Sequence, residues 1–343
     1  MKNQSNKPRL IAFEVTRRCR FNCRHCRAEA SDEPDLTTSQ CVRILESIAD
    51  FCRPVIIMTG GEPTERRDIC ELLTRGRDLG LPMVMATCGY KIDEDFIAGL
   101  KAAGIIALSF SIDGASSKTH DAFRRTPGAF ETALHAARIA AKANVRFQIN
   151  TTITKRNLHE VPQIARLARN LGAYCFNPFI LVPTGRGRQI AEDLLEPAQY
   201  EKLLEDLADL KQASDIELRV TCGPQFSRIW RQRTKNTHKL APKKRIAACM
   251  GGREFGFVSY RGDVQTCGFL NVSAGNLVEN GFDFADMWRR SPFLKEIRDV
   301  AGYHGDCAAC RYSGICGGCR ARAYAVTGDY LAKDPICDLK ADL

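Results

Sequence analysis

The chain has 343 residues, of which 44% are hydrophobic and 26% are charged, and its formal net charge at pH 7 is +10. This length and composition can bury a large core, which excludes an intrinsically disordered protein. No apolar run approaches the roughly 18 residues of a membrane span, and the N-terminal MKNQSNKPRL lacks the apolar core of a signal peptide. We therefore expect a cytoplasmic protein with no membrane span.

The basic residues are scattered, and no block of five or six like charges occurs. This distribution argues against nucleic acid as a partner. An anionic small molecule suits the positive charge, and so does a generally solvated basic surface.

From about residue 9 to 215, β-rich runs alternate with amphipathic helical patterns, which predicts βα units around a parallel sheet. The six predicted strands are residues 9–15, 54–58, 82–87, 105–112, 145–153 and 173–181. The predicted helices are residues 37–52, 68–79, 92–103, 129–143, 158–171 and 196–212. Six units favour an α/β fold with a partial (β/α)6 TIM-like barrel, whose chemistry lies at the C-terminal ends of the strands.

Beyond about residue 215 the periodicity is lost, so we predict two domains, a barrel at residues 1–215 and a cysteine-rich domain at residues 216–343. The second domain holds eight of the 16 cysteines: Cys222, Cys249, Cys267, Cys307, Cys310, Cys316, Cys319 and Cys337. In a reducing compartment, metal ligation or redox chemistry is the more common use of such cysteines, and bound metal would stabilise an irregular segment. Five isolated cysteines are predicted to be structural: Cys41, Cys52, Cys70, Cys88 and Cys175.

Three cysteines crowd into CRFNCRHCRAEA, residues 19–30, directly after the first predicted strand. A disulfide would leave one of Cys19, Cys23 and Cys26 unpaired, and a structural zinc site normally recruits four ligands. Three thiolates can instead hold three irons of a [4Fe-4S] cluster, for which full protein ligation uses four cysteines. The fourth iron is then open to a substrate or cofactor.

The second strand ends in GGEP, which comprises Gly60, Gly61, Glu62 and Pro63. Glycines let the backbone approach a ligand closely, and a carboxylate can accept hydrogen bonds from an ammonium group. A GG pair on its own is more often an ordinary turn, so its position after this strand carries the argument.

The fourth strand ends in SFSIDG, which places Ser109, Ser111 and Asp113 on alternate positions and therefore on one side of the strand. On the fifth strand, Asn150 and Thr152 share a face in the same way. These two residues are weaker candidates for a site, because polar residues at a strand end can satisfy each other.

Together these motifs resemble the radical S-adenosylmethionine (SAM) superfamily, and the resemblance covers residues 9 to about 215. It implies a [4Fe-4S] cluster held by the three loop cysteines, with SAM on the fourth iron. It also implies that GGEP lies near the methionine amino group of SAM and that SFSIDG lies near the ribose and carboxylate. In FRRTPGAFE, it implies that Arg124 reaches the SAM carboxylate.

The C-terminal cysteines resemble the SPASM extension, which carries auxiliary iron-sulfur clusters. The resemblance implies one cluster on Cys307, Cys310, Cys316 and Cys337, and a second on Cys249, Cys267 and Cys319. Fully ligated relatives have a further cysteine at about the position of Gly256, so the second cluster is incomplete, open to substrate or completed by Cys222. A buried structural thiol is the alternative for Cys222. A zinc knuckle at Cys307-x2-Cys310 and Cys316-x2-Cys319 would leave Cys249, Cys267 and Cys337 unexplained.

Further stretches, such as NPFILVPTGRGR and CGGCRARAYAVTGDYLAKDPIC, resemble the SPASM enzymes that modify siroheme-derived porphyrins, and most closely the heme b synthases. The resemblance implies oxidative decarboxylation of two propionates of iron-coproporphyrin III to vinyl groups. It implies hydrogen abstraction by a 5′-deoxyadenosyl radical, auxiliary clusters that accept an electron, and a donor such as ferredoxin or flavodoxin. Related enzymes that deacetylate didecarboxysiroheme or form heme d1 are the alternatives.

Four substrate carboxylates call for arginine forks, and Arg186 and Arg188 follow the sixth strand at the functional end of the barrel. Solvated loop arginines are the common alternative. His25, inside the cysteine loop, is expected beside the cluster, and the sequence identifies none of the six histidines as an axial ligand to heme iron. Two other classes of protein remain open, a SPASM peptide-modifying maturase and a non-catalytic iron-sulfur or zinc protein. The latter would leave GGEP and SFSIDG without a purpose.

Overall fold

The computed structural model describes residues 7–234 and 249–340. Residues 1–6, which contribute to the signal-peptide argument, lie outside the described residues, as do parts of the predicted second domain at residues 235–248 and 341–343. Every helix in the described part of the chain is too short or too polar to cross a membrane.

Within the described residues, ten strands form one sheet. They are β1 (Leu10–Glu14), β2 (Val55–Thr59), β3 (Met83–Thr87), β4 (Ala107–Ser111), β5 (Phe147–Ile153), β6 (Cys175–Ile180), β7 (Glu217–Leu218), β8 (Phe255–Val258), β9 (Asp263–Gln265) and β10 (Ser273–Asn276). Their order in the sheet is β10-β9-β8-β1-β2-β3-β4-β5-β6-β7. Strands β1 to β6 pair in parallel with their sequence neighbours, which confirms the predicted partial barrel.

The helices connect and cover these strands. They are α1 (Thr38–Phe51), α2 (Ile69–Asp78), α3 (Glu94–Ala102), α4 (Ser117–Arg124), α5 (Ala129–Lys142), α6 (Val161–Asn170), α7 (Pro197–Ala213), α8 (Phe226–Thr234), α9 (Phe284–Arg290), α10 (Pro292–Arg298), α11 (Asp306–Ala309) and α12 (Arg320–Thr327). All six predicted helices are present, while α4 and the helices beyond α7 were not predicted. At the start of α1, Thr37 and Gln40 form a reciprocal capping box, as the capping-type residues there indicate.

The strands separate an apolar layer from a polar barrel interior. On β5, Phe147 and Ile149 are at most 2% exposed and belong to the main apolar core under the helices. Gln148 and Asn150 alternate with them, are half-buried and face the other side of the sheet. The apolar face stabilises the barrel, and the polar face is left for a site.

The C-terminal part continues the same sheet. Strand β8 pairs in parallel with β1, where Leu10 is opposite Phe255, and β9 and β10 follow in antiparallel order. The predicted domain boundary near residue 215 therefore lies within one hydrogen-bonded sheet, and the two-domain division stays a prediction.

Gly256, at about the position where the resemblance implies a further cysteine, lies in the middle of β8 opposite Ile11. A Cβ at this position would lie 2.9 Å from Cζ3 of Trp288, a fully buried residue of α9. A cysteine here would therefore enter the apolar core. The contact disfavours a larger residue, and therefore a thiol ligand, at position 256.

Candidate functional site

The three cysteines of the cluster loop, defined here as residues 15–31, lie together at the end of β1. Cys23 is buried, Cys19 and Cys26 are half-buried, and all three pack with Phe21 and Cys88. Burial raises the pKa of Cys19 to about 12 and also raises the pKa of Cys23. Such thiols ionise when a metal supplies the compensating charge, so this donor set fits three irons of a cluster.

The two glycines of GGEP bring the end of β2 against the cluster loop. Gly61 N donates to Thr16 O and Glu62 N donates to Arg18 O, each at 2.8 Å. A Cβ at Gly60 would lie 2.5 Å from Thr16 O, and one at Gly61 would lie 2.4 Å from Arg18 O. The close approach that requires these glycines is thus between two loops, whereas the sequence argument attributes it to a ligand.

The carboxylate of Glu62 is 1% exposed and faces the end of β3. It accepts hydrogen bonds from Thr87 Oγ1 (2.7 Å), Cys88 N (2.7 Å) and Thr64 N (3.2 Å). Burial raises the pKa of Glu62, although these hydrogen bonds oppose the shift. The Cys88 thiol is also hydrogen-bonded to this carboxylate, so its roughly four acceptor positions are all used, and an ammonium group would have to replace one of these donors.

Asp113 and Arg124 form a buried ion pair beside Cys23. Arg124 Nε donates to Asp113 Oδ2 at 2.6 Å, and Thr152 N donates to Asp113 Oδ1 at 2.7 Å. Arg124 Nη1 also lies 3.6 Å from Cys23 Sγ. Burial opposes ionisation of Asp113, but the nearby Arg124 guanidinium outweighs it and lowers the pKa. The structure thus brings two predicted SAM contacts to the cluster loop.

His25 lies beside this ion pair. Its ring stacks on Phe123 with centroids 4.4 Å apart, and its Nε2 lies 3.9 Å from Asp113 Oδ2. Burial lowers the pKa of His25 to about 4, so the imidazole is neutral at pH 7. Nδ1 is buried and has no hydrogen-bond partner among the described residues. Such an orphaned atom fits a site that is completed by a bound group.

Arg186 ties the loop after β6 to the cluster loop. Its backbone N donates to Cys26 O at 2.9 Å and its Nε donates to Cys23 O at 3.0 Å. A Cβ at Gly185 would lie 2.6 Å from Cys26 O, so the two loops touch and the sheet must curve back on itself. Nη2 of Arg186 is buried without a partner in the described chain, whereas Arg188 is exposed. The substrate role of both arginines stays a prediction.

The remaining predicted residues line the barrel interior. The strand register places Ser109 opposite Gln148 and Ser111 opposite Asn150. Asn177 on β6 joins them, since its Nδ2 lies 3.3 Å from Asn150 Oδ1. This row of short polar side chains can hydrogen-bond the ribose and carboxylate of a cofactor.

Four C-terminal cysteines line one cavity, and we call them the first cysteine group: Cys307, Cys310, Cys316 and Cys337. Tyr312 N donates to Cys310 Sγ and Gly318 N donates to Cys316 Sγ, each at 3.4 Å. N–H donors aimed at sulfur are typical around thiolates that hold iron-sulfur clusters. The structure thus brings together the four residues predicted for one auxiliary cluster.

The other four form the second cysteine group: Cys222, Cys249, Cys267 and Cys319. A hydrogen bond between Cys222 and Cys319, together with burial, raises the pKa of Cys222, and the same bond lowers the pKa of Cys319 to about 7. Burial raises the pKa of Cys267 to about 12, with smaller contributions from the thiols of Cys249 and Cys319. Cys222, which was left open between ligand and structural thiol, therefore lies with the predicted ligands.

Neither group surrounds a single point. In residues 7–234 and 249–340, no three His, Cys, Asp or Glu side chains are arranged to hold one metal ion. A zinc knuckle needs four thiolates about 2.3 Å from the same ion, whereas a [4Fe-4S] cluster places each cysteine on a different iron. The spread of the thiols is compatible with clusters, and the auxiliary clusters stay a prediction here.

Arg27 also lies at the cluster loop, although the sequence did not predict it as a site residue. Its Nη1 donates to Glu14 Oε1 at 3.1 Å, and its guanidinium lies 4.6 Å from the centroid of the Phe257 ring. A Cβ at Gly268 would lie 2.9 Å from its Cζ. Arg27 therefore adjoins both Cys26 in sequence and the segment after Cys267 in space. Only the pairing of β8 with β1 creates this position, and no local pattern in the sequence signals it.

The sequence is similar to a known protein family and, over nearly its full length, to known relatives. Residues 13–168 match the family model described as the radical SAM superfamily. The chain is 42% identical over 344 residues to the AdoMet-dependent heme synthase of Methanosarcina barkeri, where AdoMet is SAM, and the alignment covers 97% of each chain. It is 31% identical to the Fe-coproporphyrin III synthase of the same organism, covering 98% of this chain and 89% of that protein.

The fold also matches a solved structure of Streptococcus suis SuiB bound to S-adenosylmethionine. The TM-score is 0.78 at 18% sequence identity, and the match covers 97% of this chain and 78% of that chain. The fold is therefore that of SPASM-type radical SAM enzymes. The chain belongs to the radical SAM superfamily and shares the family of the AdoMet-dependent heme synthases, which confirms the predicted resemblance. Membership implies a [4Fe-4S] cluster and SAM as cofactors.

Proposed function

We propose that this protein oxidatively decarboxylates two propionates of iron-coproporphyrin III to vinyl groups and so forms heme b. The observation that carries this proposal is the near full-length similarity to a heme synthase, which exceeds the similarity to the Fe-coproporphyrin III synthase of the same organism. This difference favours heme synthesis over the reaction of that related porphyrin enzyme.

The bound cluster and SAM would supply the 5′-deoxyadenosyl radical, and the chain positions and shields them. Cys19, Cys23 and Cys26 would hold the cluster. Glu62 would accept from the methionine amino group in place of the Cys88 thiol, and Arg124, oriented by Asp113, would donate to the carboxylate. The serines and amides of the barrel interior would contact the ribose: Ser109, Ser111 and Asn150.

Substrate carboxylates need cationic partners that can make paired hydrogen bonds. We propose Arg27 for this role beside Arg186 and Arg188, because it lies next to the cluster loop and is only partly committed to Glu14. Its side chain is 17% exposed, so part of the guanidinium can reach a ligand. A propionate bound there would lie between the cluster loop and the second cysteine group.

Each decarboxylation removes hydrogen and carbon dioxide and leaves one electron that must be accepted. We propose that the two cysteine groups bind auxiliary [4Fe-4S] clusters for this purpose, with Cys222 as the fourth ligand of the second group. A ferredoxin or flavodoxin would supply the electron that reduces the SAM-binding cluster on Cys19, Cys23 and Cys26. A reducing cytoplasm suits the 16 cysteines, none of which forms a disulfide.

The decisive experiment is anaerobic reconstitution followed by incubation with SAM, a reductant and iron-coproporphyrin III. We expect heme b and carbon dioxide as products. Formation of 5′-deoxyadenosine without a porphyrin product would reject this substrate. Turnover of didecarboxysiroheme or of a heme d1 precursor in parallel incubations would favour the corresponding related enzyme.

Iron analysis tests the auxiliary clusters separately. Roughly eight to twelve irons per chain correspond to two or three four-iron clusters, and about four irons together with zinc would contradict them. Replacing Cys222 by Ser should lower the iron content, while the same change at the isolated Cys175 should not.

A further inference from the structure

Arg320, at the start of α12, is a buried cation that pairs with no carboxylate in residues 7–234 and 249–340. The residue is 3% exposed, and its Nη1 donates to the carbonyl oxygens of Tyr330 (3.0 Å) and Ala332 (2.7 Å). Its guanidinium lies 4.5 Å from the centroid of the Tyr303 ring. No Asp or Glu of the described ranges forms an ion pair with it. Backbone carbonyls and a ring hold the guanidinium but do not neutralise it.

Two other buried arginines of this region each have the carboxylate partner that Arg320 lacks among the described residues. Arg228, which lines the same cavity as the first cysteine group, pairs with Glu201 at 2.5 Å. Arg322 pairs with Asp334 at 2.7 Å. Because an uncompensated buried charge is strongly unfavourable, Arg320 requires an anion that the described carboxylates do not supply.

The atoms of Arg320 that lack acceptors indicate where this anion lies. Nη2 is 3.8 Å from Cys307 Sγ, and Nε is buried without a hydrogen-bond partner in the described part of the chain. Cys307 belongs to the first cysteine group, whose sulfurs also receive the backbone donors of Tyr312 and Gly318. The local chemistry suits an anionic thiolate-ligated group.

We propose that Arg320 is the counter-charge of an iron-sulfur cluster on the first cysteine group and raises the reduction potential of that cluster. This proposal rests on the auxiliary clusters of the proposed function. Reduction adds negative charge to a cluster, so a fixed positive charge and an N–H···S hydrogen bond stabilise the reduced form more than the oxidised form. Arg320 thus makes the cluster of the first group a stronger electron acceptor than the same cluster would be without this charge.

The test is a potentiometric titration of the full-length chain, followed by electron paramagnetic resonance. The loop cysteines Cys19, Cys23 and Cys26 are replaced by Ala to remove the signal of the SAM-binding cluster. The signal of the first group is then the one that Cys310→Ser abolishes. In R320Q we expect the ratio of oxidised to reduced cluster at a fixed potential to rise about tenfold, which is about 59 mV for one electron.

Two variants serve as controls. R311Q removes the same charge one residue from Cys310, but Arg311 is exposed, so solvent screening should leave the ratio within about twofold of the parent. R320K keeps the charge without the planar fork, so its reduction potential should stay close to that of the parent.

An unchanged potential in R320Q at unchanged iron content would overturn the role of Arg320 and leave the auxiliary clusters intact. Equal shifts in R311Q and R320Q would also overturn it, because burial would then not matter. Loss of iron from both R320Q and R320K would show that Arg320 only supports the fold. A parent protein without auxiliary iron would overturn this proposal together with the auxiliary clusters.

Discussion

At the scale of the residue, Gly61 leaves no room for a side chain between the end of β2 and the cluster loop. A Cβ at position 61 would lie 2.4 Å from Arg18 O and 2.6 Å from Arg17 O, and backbone atoms cannot move aside as a flexible side chain can. We expect Gly61→Ala to displace the loop, to destabilise the protein by about 1–3 kcal/mol and to lower the iron content after reconstitution. Urea unfolding and iron analysis measure both effects.

The matched control is Gly99→Ala within α3, where the new Cβ would lie no closer than 3.9 Å to Cys70 Sγ. Because alanine favours helix, this variant should be neutral or stabilised by up to about 1 kcal/mol. Normal iron content in Gly61→Ala would contradict the expected dependence of iron binding on the contact between the loops.

Arg27 gives a second test at this scale. Loss of a charge-assisted hydrogen bond costs about 1.5–3 kcal/mol, so Arg27→Gln should weaken iron-coproporphyrin III binding roughly 10- to 100-fold. Arg27→Lys should recover only part of the affinity, because lysine cannot form a paired fork. Optical titration of the porphyrin measures binding without turnover.

The control for this test is Arg9→Gln, at the far end of β1, which removes an exposed arginine paired with Glu254 at 3.1 Å. Its affinity should equal that of the parent. If Arg27→Gln binds as tightly as the parent, Arg27 serves only to neutralise the buried Glu14.

At the scale of the element, Arg66 and Asp68 hold three segments in place after β2. Arg66 Nη1 donates to Val15 O (2.8 Å) and Leu36 O (2.9 Å), while Asp68 Oδ2 accepts from Thr38 Oγ1 (2.6 Å) at the start of α1. Arg66 is 5% exposed and its Nε donates to Asp68 Oδ1 at 2.7 Å. This ion pair therefore links the cluster loop to α1 and α2.

Asp68→Asn should reduce the free energy of unfolding at pH 7 by about 1–3 kcal/mol. Partial burial opposes ionisation, but hydrogen bonds from Arg66 and Thr38 outweigh it and lower the pKa of Asp68. The stabilisation is therefore present above the unfolded-state pKa of about 3.9 and is lost as pH falls through the lower folded-state pKa. Urea unfolding from pH 7 to pH 3 should show a difference between parent and variant that decreases as the pH falls below the unfolded-state pKa. A difference independent of pH would contradict this role.

The predictability of the elements followed their length and regularity. Helix α1, with 14 residues, was predicted because capping-type residues precede apolar positions at helical spacing, and strand β5, with 7 residues, because it lies in a β-rich run. Strands β8 and β9 have only 4 and 3 residues, and they form because β1 offers an edge. Cys19, Cys23 and Cys26 were predicted from local spacing. Arg27 depends on contacts between residues more than 200 positions apart, which no local pattern contains.

At the scale of the whole molecule, metal removal should affect the two parts of the chain differently. The segment from about residue 303 to 340 contains only α11 and α12 as α-helices and surrounds the first cysteine group. If ligation free energy stabilises this segment, chelation of iron should increase hydrogen exchange there. Helices α5 and α6, packed on the barrel core, should keep their protection. Mass spectrometry of exchange in iron-loaded and iron-depleted protein compares the two regions, and uniform exchange would contradict the expectation.

The pairing of β8 with β1 also sets an order for biosynthesis. Strand β1 ends at Glu14, and its second partner begins at Phe255, about 240 residues later. At ribosomal rates of roughly 5–20 residues per second, one edge of β1 stays open for roughly 12–50 s. An exposed edge strand beside buried apolar residues is a site for association with other chains. The nascent barrel therefore passes through a period in which it needs protection, and the C-terminal part ends that period by closing the edge.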